Sequence, residues 1–120
     1  MSRINRQRGL GNLSASAPPR RVAIVQARMG STRFPGKMLA PLGGRPLLEW
    51  VLRRVKSARL LDAVVLATTD LPRDRPLVDL ARQLGVATFT GSESDVLGRF
   101  AAAAAQYRAD VVVRVCADNP

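Results

Sequence analysis

The chain has no histidine and a single cysteine, Cys116. Without histidine, His/Cys zinc sites, Ser-His-Asp triads and Cys-His dyads cannot be assembled within it. One cysteine cannot close an internal disulfide, which fits a reducing compartment. Any metal is then expected to be hard and oxygen-ligated, with Mg²⁺ the natural choice. Long apolar runs are missing as well. The longest, FAAAAA at 100–105, falls far short of the roughly 18 residues that a membrane span requires. These absences point to a soluble, cytoplasmic protein with no membrane partner. Aromatic side chains are also few, with three Phe, one Trp and one Tyr. They do not alternate with basic residues, so base stacking has little to build on.

What is abundant is arginine, seventeen against two lysines, giving a formal net charge of +10. Half of that excess lies in residues 1–21, which hold five arginines and no acid. From Val22 onward fourteen basic residues face nine acidic ones. The concentration of charge in the tail and the scarcity of aromatics argue against nucleic acid as the partner. Residues 1–20 lack the apolar stretch of a secretory signal. Their Arg- and Ser-containing, acid-free composition has some likeness to an organelle transit peptide, but the expectation is a disordered basic tail ending at Pro18-Pro19.

From Arg21 the pattern becomes regular, and residues 21–120 are expected to form one domain part. VAIVQA (22–27), DAVVLAT (62–68), VATFT (86–90) and DVVVRV (110–115) are short apolar or β-branched runs of the kind that form buried parallel strands. Between them, RPLLEWVLRRVKSA (45–58), RPLVDLARQLG (75–85) and SESDVLGRFAAAAAQYR (92–108) carry helical periodicity, with Pro46 in a first turn and Gly85 as a stop. The order β-α-β-α-β-α-β predicts an open, mostly parallel, three-layer α/β sheet of Rossmann-like character. Ligands of such sheets bind beyond the carboxyl ends of the strands. The loops at 28–37, 68–74, 90–95 and 116–120 are therefore the candidates.

The first loop, ARMGSTRFPGK at 27–37, contains one of the two lysines. A Walker A loop needs G-x-x-x-x-G-K followed by Ser or Thr and an immediate helix. Here Gly30 and Gly36 are one residue too far apart, Met38 follows Lys37, and MLAPLGGRP cannot open a long helix. The dinucleotide spacing G-x-G-x-x-G is absent too. What remains is a longer strand-to-loop cradle. In it Gly30 allows close backbone approach, Ser31 or Thr32 can donate to phosphate, and Arg28, Arg33 and Lys37 supply charge. A solvated loop of ordinary arginines is the alternative.

The stretch VAIVQARMGSTRFPGKMLAPLGGRPLLEWVLRRV resembles the opening of the cytidylyltransferases that activate acidic sugars, of the acylneuraminate and KDO type, and is most similar to their SpsF-like spore coat polysaccharide branch. The likeness rests on Ala27, Arg28, Gly30, Ser31, Arg33 and Lys37, and continues through LATTD (66–70), GSESDVLGRF (91–100) and CADNP (116–120). The resemblance implies a nucleotide-diphospho-sugar transferase fold, truncated, with CTP seated in the first loop. Arg28 and Lys37 would hold the triphosphate as catalytic clamps, with Ala27, Gly30, Ser31 and Arg33 completing the cradle. Asp118 would bind Mg²⁺; an Asp-Asn-Pro turn is the plain reading of the same residues.

Thr69 and Asp70 would touch base or ribose, or Asp70 would open the turn into Leu71-Pro72. Ser92 would face the nucleotide, or with Asp95 cap the next helix, the reading favoured from the residues. Trp50 and Cys116 are expected to be at least partly buried, and Tyr107 to need no function. The family's second half carries the acceptor-sugar pocket, another metal-binding carboxylate and most of the dimer surface. Residues 1–120 are thus expected to be a poor catalyst alone, with a homodimer or a complementary C-terminal partner to complete them. A non-catalytic nucleotide- or polyanion-binding module, and a nucleotidyltransferase using another nucleoside triphosphate, are the rival readings.

Overall fold

The computed structural model describes residues 18–30 and 36–117. The expected tail at 1–17 and the residues Ser31, Thr32, Arg33 and Asp118 lie outside the described residues. The central strand is β1 (Arg21–Gln26), whose Val22, Ala23, Ile24 and Val25 are wholly buried. A strand with apolar residues on both faces needs cover on both, and the chain supplies it. After β1 come a two-stranded ribbon, β2 (Pro41–Leu42) and β3 (Arg45–Pro46), and helix α1 (Leu47–Lys56). Then follow β4 (Ala63–Thr69), α2 (Arg75–Gln83), β5 (Ala87–Gly91), α3 (Val96–Gln106) and β6 (Val111–Cys116).

The main sheet has the order β5-β4-β1-β6 and every pairing in it is parallel. Side chains on alternate positions point to opposite faces. Val25, Ala27 and Leu66 accordingly join Leu48 and Leu52 of α1 and Leu77 and Ala81 of α2 in one core. Val22, Ile24, Val65 and Ala67 meet Ala103 of α3 in the other. The three layers expected from the sequence are present, and each predicted strand lies within about one residue of its place.

One helix start differs from expectation. The segment Arg45-Pro46 is not helical but pairs with Pro41-Leu42 around Gly43-Gly44, whose φ values of 60° and 86° only glycine adopts without cost. Helix α1 therefore begins at Leu47. Trp50 serves this ribbon rather than the core: it is 40% exposed, donates its Nε1–H to the Leu42 carbonyl, and carries the Arg45 guanidinium 5.3 Å above its ring. Cys116 is half-buried at the end of β6. Helix α3 starts at Val96 after a cap region, as the sequence suggested, and of the two cap candidates it is Asp95 that serves: its Oδ1 accepts from the Gly98 N–H at 2.8 Å.

The topology locates the site. From β1 the chain builds outward through β4 to β5 on one side, then crosses back through α3 to place β6 on the other side of β1. Strands β1 and β6 thus flank the point where the order reverses, and the crevice beyond their carboxyl ends is where open α/β sheets take ligands. The Ala117 N–H donates to the Gln26 carbonyl at 3.0 Å, so both strands end at one level. The loop beginning at Arg28 and the end of β6 at Cys116-Ala117 lie there side by side.

Candidate functional site

The loop after β1 is pinned at both described ends. The Met29 N–H donates to Asp74 Oδ1 at 2.6 Å, and the Gly36 N–H donates to the Met29 carbonyl at 3.2 Å. The chain thus comes back to Met29 at Gly36. Gly36 makes the return in the left-handed region, φ 76°, and Lys37 opens a 3₁₀ turn, Lys37–Leu39, in which Met38 is 1% exposed and packed in the α1/α2 core. Lys37 is therefore fixed between a glycine turn and a buried anchor. An ammonium carried on a fixed backbone suits a phosphate chain.

Two further loops, those after β4 and β5, and helix α3 converge on this place. Asp74 ends the 3₁₀ turn Pro72–Asp74 after β4 and is wholly buried; besides Met29 it accepts the Thr69 hydroxyl hydrogen. Thr69 is itself buried, and its Oγ1 also accepts the Leu71 N–H at 3.2 Å. The turn after β4 is thus shaped by Thr69 and Asp74, while Asp70 is exposed and its N–H reaches the Gly91 carbonyl at 3.0 Å. Glu93, two residues beyond β5, takes Arg28 Nη1 at 3.9 Å and also pairs with Arg73 Nη2. The Arg73 guanidinium lies against Gly30, where a Cβ would come within 2.6 Å of its Nη2. Behind them Arg99 is 6% exposed and donates from Nη1 to the Ser92 carbonyl at 2.7 Å. Burial, and then the positive charge of Arg28, hold the Arg99 pKa below its ordinary value; Asp74 and Asp95 oppose the shift.

Sequence reasoning placed Ala27, Arg28, Gly30, Lys37, Thr69, Asp70 and Ser92 in this region, and all stand at the carboxyl end of the sheet. Ala27 is buried in the core beneath the loop. Ser92 does not cap α3, being too far upstream; its hydroxyl meets that of Ser94 at 3.1 Å. A pocket of about 580 Å³ opens farther out, between the β4 turn, α2 and the free edge of β5, lined by Thr69, Asp70, Leu71, Arg75, Val78 and Thr90 among others. Sequence reasoning missed Arg73, Asp74, Glu93 and Arg99. The DVLG stretch announced a cap, but nothing local distinguishes Asp74 from its neighbours.

The cap gives a simple expectation. Asp95→Ala should lower stability by about 1 kcal/mol, as removal of a helix N-cap does, measured by urea denaturation. An unchanged midpoint would show that the Gly98 bond adds nothing.

Among the described residues no group of three His, Cys, Asp or Glu could hold a metal. No helix among the described residues is long and apolar enough to cross a membrane.

Residues 22–120 match the family model described as cytidylyltransferase. Among curated proteins, the chain is 41% identical over 101 residues to the spore coat polysaccharide biosynthesis protein SpsF of Bacillus subtilis, covering 81% of this chain and 42% of that protein. It is 39% identical over 102 residues to the 3-deoxy-manno-octulosonate cytidylyltransferase of Trichlorobacter lovleyi, covering 82% and 38% respectively. A solved cytidylyltransferase from Leptospira borgpetersenii superposes with a TM-score of 0.80 at 37% identity, over 84% of this chain and 42% of that one. The chain spans about two fifths of the length of the curated relatives it matches.

Proposed function

The chain belongs to the cytidylyltransferase family, and on that premise we propose that it is the CTP-binding portion of an enzyme that transfers CMP to a hydroxyl of a sugar acid and releases pyrophosphate. The observation that carries the reading is the loop after β1: it leaves the carboxyl end of that strand bearing Arg28, is held there by Asp74, and returns at Gly36 directly before Lys37. The sugar-acid acceptor is drawn from the octulosonate cytidylyltransferase among the relatives, and a role in surface polysaccharide precursor synthesis from SpsF. A cytoplasmic location suits such precursor chemistry.

In this reaction an acceptor hydroxyl oxygen attacks the α-phosphorus of CTP. A new P–O bond forms to the sugar, the bond to the bridging oxygen breaks, and that oxygen leaves with pyrophosphate. Negative charge grows on the leaving group. Fixed cations stabilise that growing charge most when they are aimed where it develops. Lys37 and Arg28 hold the phosphate chain; Gly30, Ser31 and Arg33 line its cradle; Asp70 and Ser92 are assigned to the ribose and base, and the buried Thr69 to shaping the turn that presents Asp70. Asp118 would hold Mg²⁺ with the phosphates, and a bound Mg²⁺ supplies charge neutralisation and orientation. The acceptor proton must pass to a base or to water as the bond forms.

Binding of the four nucleoside triphosphates, compared by equilibrium dialysis in Mg²⁺, tests the reading. CTP should bind more tightly than ATP, GTP or UTP. Equal affinity for all four would remove the cytidylyl assignment.

A further inference from the structure

Among the described residues, Glu93 is the half-exposed acid that pairs with both Arg28 and Arg73, the buried Asp74 nearby being committed to Met29 and Thr69. Three adjacent parallel strands, β1, β4 and β5, each send one charged side chain to the same spot: Arg28, Arg73 and Glu93. One carboxylate oxygen, Glu93 Oε2, serves both guanidinium groups. Arg99 stands close enough behind for Arg28 to depress its pKa further below that of a buried arginine alone. Asp74 and Asp95 act on Arg99 from within the fold, while toward solvent Arg28 and Arg73 share the single Glu93 carboxylate.

Gly30 contributes by what it lacks. With no side chain there, the Arg73 guanidinium can lie against the first loop, within 2.6 Å of where a Cβ would stand. Arg73 is thereby brought beside Arg28, although the two are 45 residues apart in sequence.

We propose that the Glu93 carboxylate competes with substrate phosphate for the seat between Arg28 and Arg73, making Arg73 a phosphate ligand and Glu93 the group that weakens phosphate retention. The proposal rests on the nucleotide-binding reading above and adds two residues to it. Its physical basis is a difference in strength. The side chains of Arg28, Arg73 and Glu93 are 47%, 49% and 39% exposed, and ion pairs at that exposure are weak. A phosphate group carries more charge than a carboxylate and offers more acceptor oxygens, and paired guanidinium groups bind it in forked geometry. Exchange of one anion for the other therefore favours phosphate, while the tethered carboxylate remains at hand to speed the departure of pyrophosphate.

The test is calorimetric titration of CTP, and separately of inorganic tripolyphosphate, into the wild-type chain, Glu93→Gln and Arg73→Ala. Glu93→Gln should bind both ligands roughly two- to fivefold more tightly, the equivalent of removing one competing exposed ion pair. Arg73→Ala should bind both more weakly. Adding Glu93→Gln to Arg73→Ala should restore less affinity than Glu93→Gln confers on the wild type. Unchanged or weaker binding by Glu93→Gln overturns the proposal, since it would make Glu93 a bystander or a support for the arginines. If the wild type binds tripolyphosphate but not CTP, the nucleotide reading fails while the Glu93 comparison still decides the anion competition. If it binds neither, both fall.

Discussion

Asp74→Ala is expected to lower the stability of the chain by about 2–4 kcal/mol, because it strands two buried donors at about 1–3 kcal/mol each. The carboxylate is wholly buried and accepts both the Met29 N–H and the Thr69 hydroxyl. Alanine has nothing to offer either donor. Asparagine should be milder. It keeps a carbonyl oxygen for the Met29 amide, and the Thr69 hydroxyl can rotate to accept from the new amide group. Urea denaturation of wild type, Asp74→Ala and Asp74→Asn separates the cases. A loss below about 1 kcal/mol for alanine, the scale of an ordinary surface change, would show that water replaces the carboxylate. The same substitution releases the Met29 end of the first loop, so ligand affinity should fall along with stability.

Lys37→Ala is the second large effect, and it acts on ligand rather than fold. The backbone at this position is set by the left-handed Gly36 and by the buried Met38, neither of which depends on the lysine side chain. Stability should therefore change by no more than about 1 kcal/mol. Loss of a charge-assisted bond to the triphosphate, about 1.5–3 kcal/mol, should weaken CTP binding roughly 10- to 150-fold. Where turnover is measured, as pyrophosphate release with CTP and a sugar acid, the loss should be larger, on the order of 10²–10³, because charge on the leaving phosphates grows in the transition state. An equal loss in binding and turnover would make Lys37 a ground-state contact only.

The strands were legible because each is a short apolar run bounded by polar turns, and burial on both faces needs just that. The helices were legible by periodicity, but the first turn of α1 was not. Arg45-Pro46 reads as a helix start until the Gly43-Gly44 pair is recognised as the centre of a tight ribbon. Ser92 reads as a cap until Asp95, with its reach to Gly98, takes that role. In the site, Arg28 and Lys37 were visible because their loop is a contiguous motif. Asp74, Arg73, Glu93 and Arg99 were not, because what each does depends on a partner in another loop. The sequence shows an acid after a proline, and only the parallel register of β1 and β4 brings that acid beneath the Met29 amide.

Calorimetric titration of CTP into the wild-type chain and into Lys37→Ala, with Mg²⁺ and with EDTA, is the most direct test of a triphosphate seat at the loop after β1. The expected result is saturable one-to-one binding to the wild type, weakened both by removal of Mg²⁺ and by loss of Lys37. Absence of binding, or an affinity unchanged in Lys37→Ala, would contradict it.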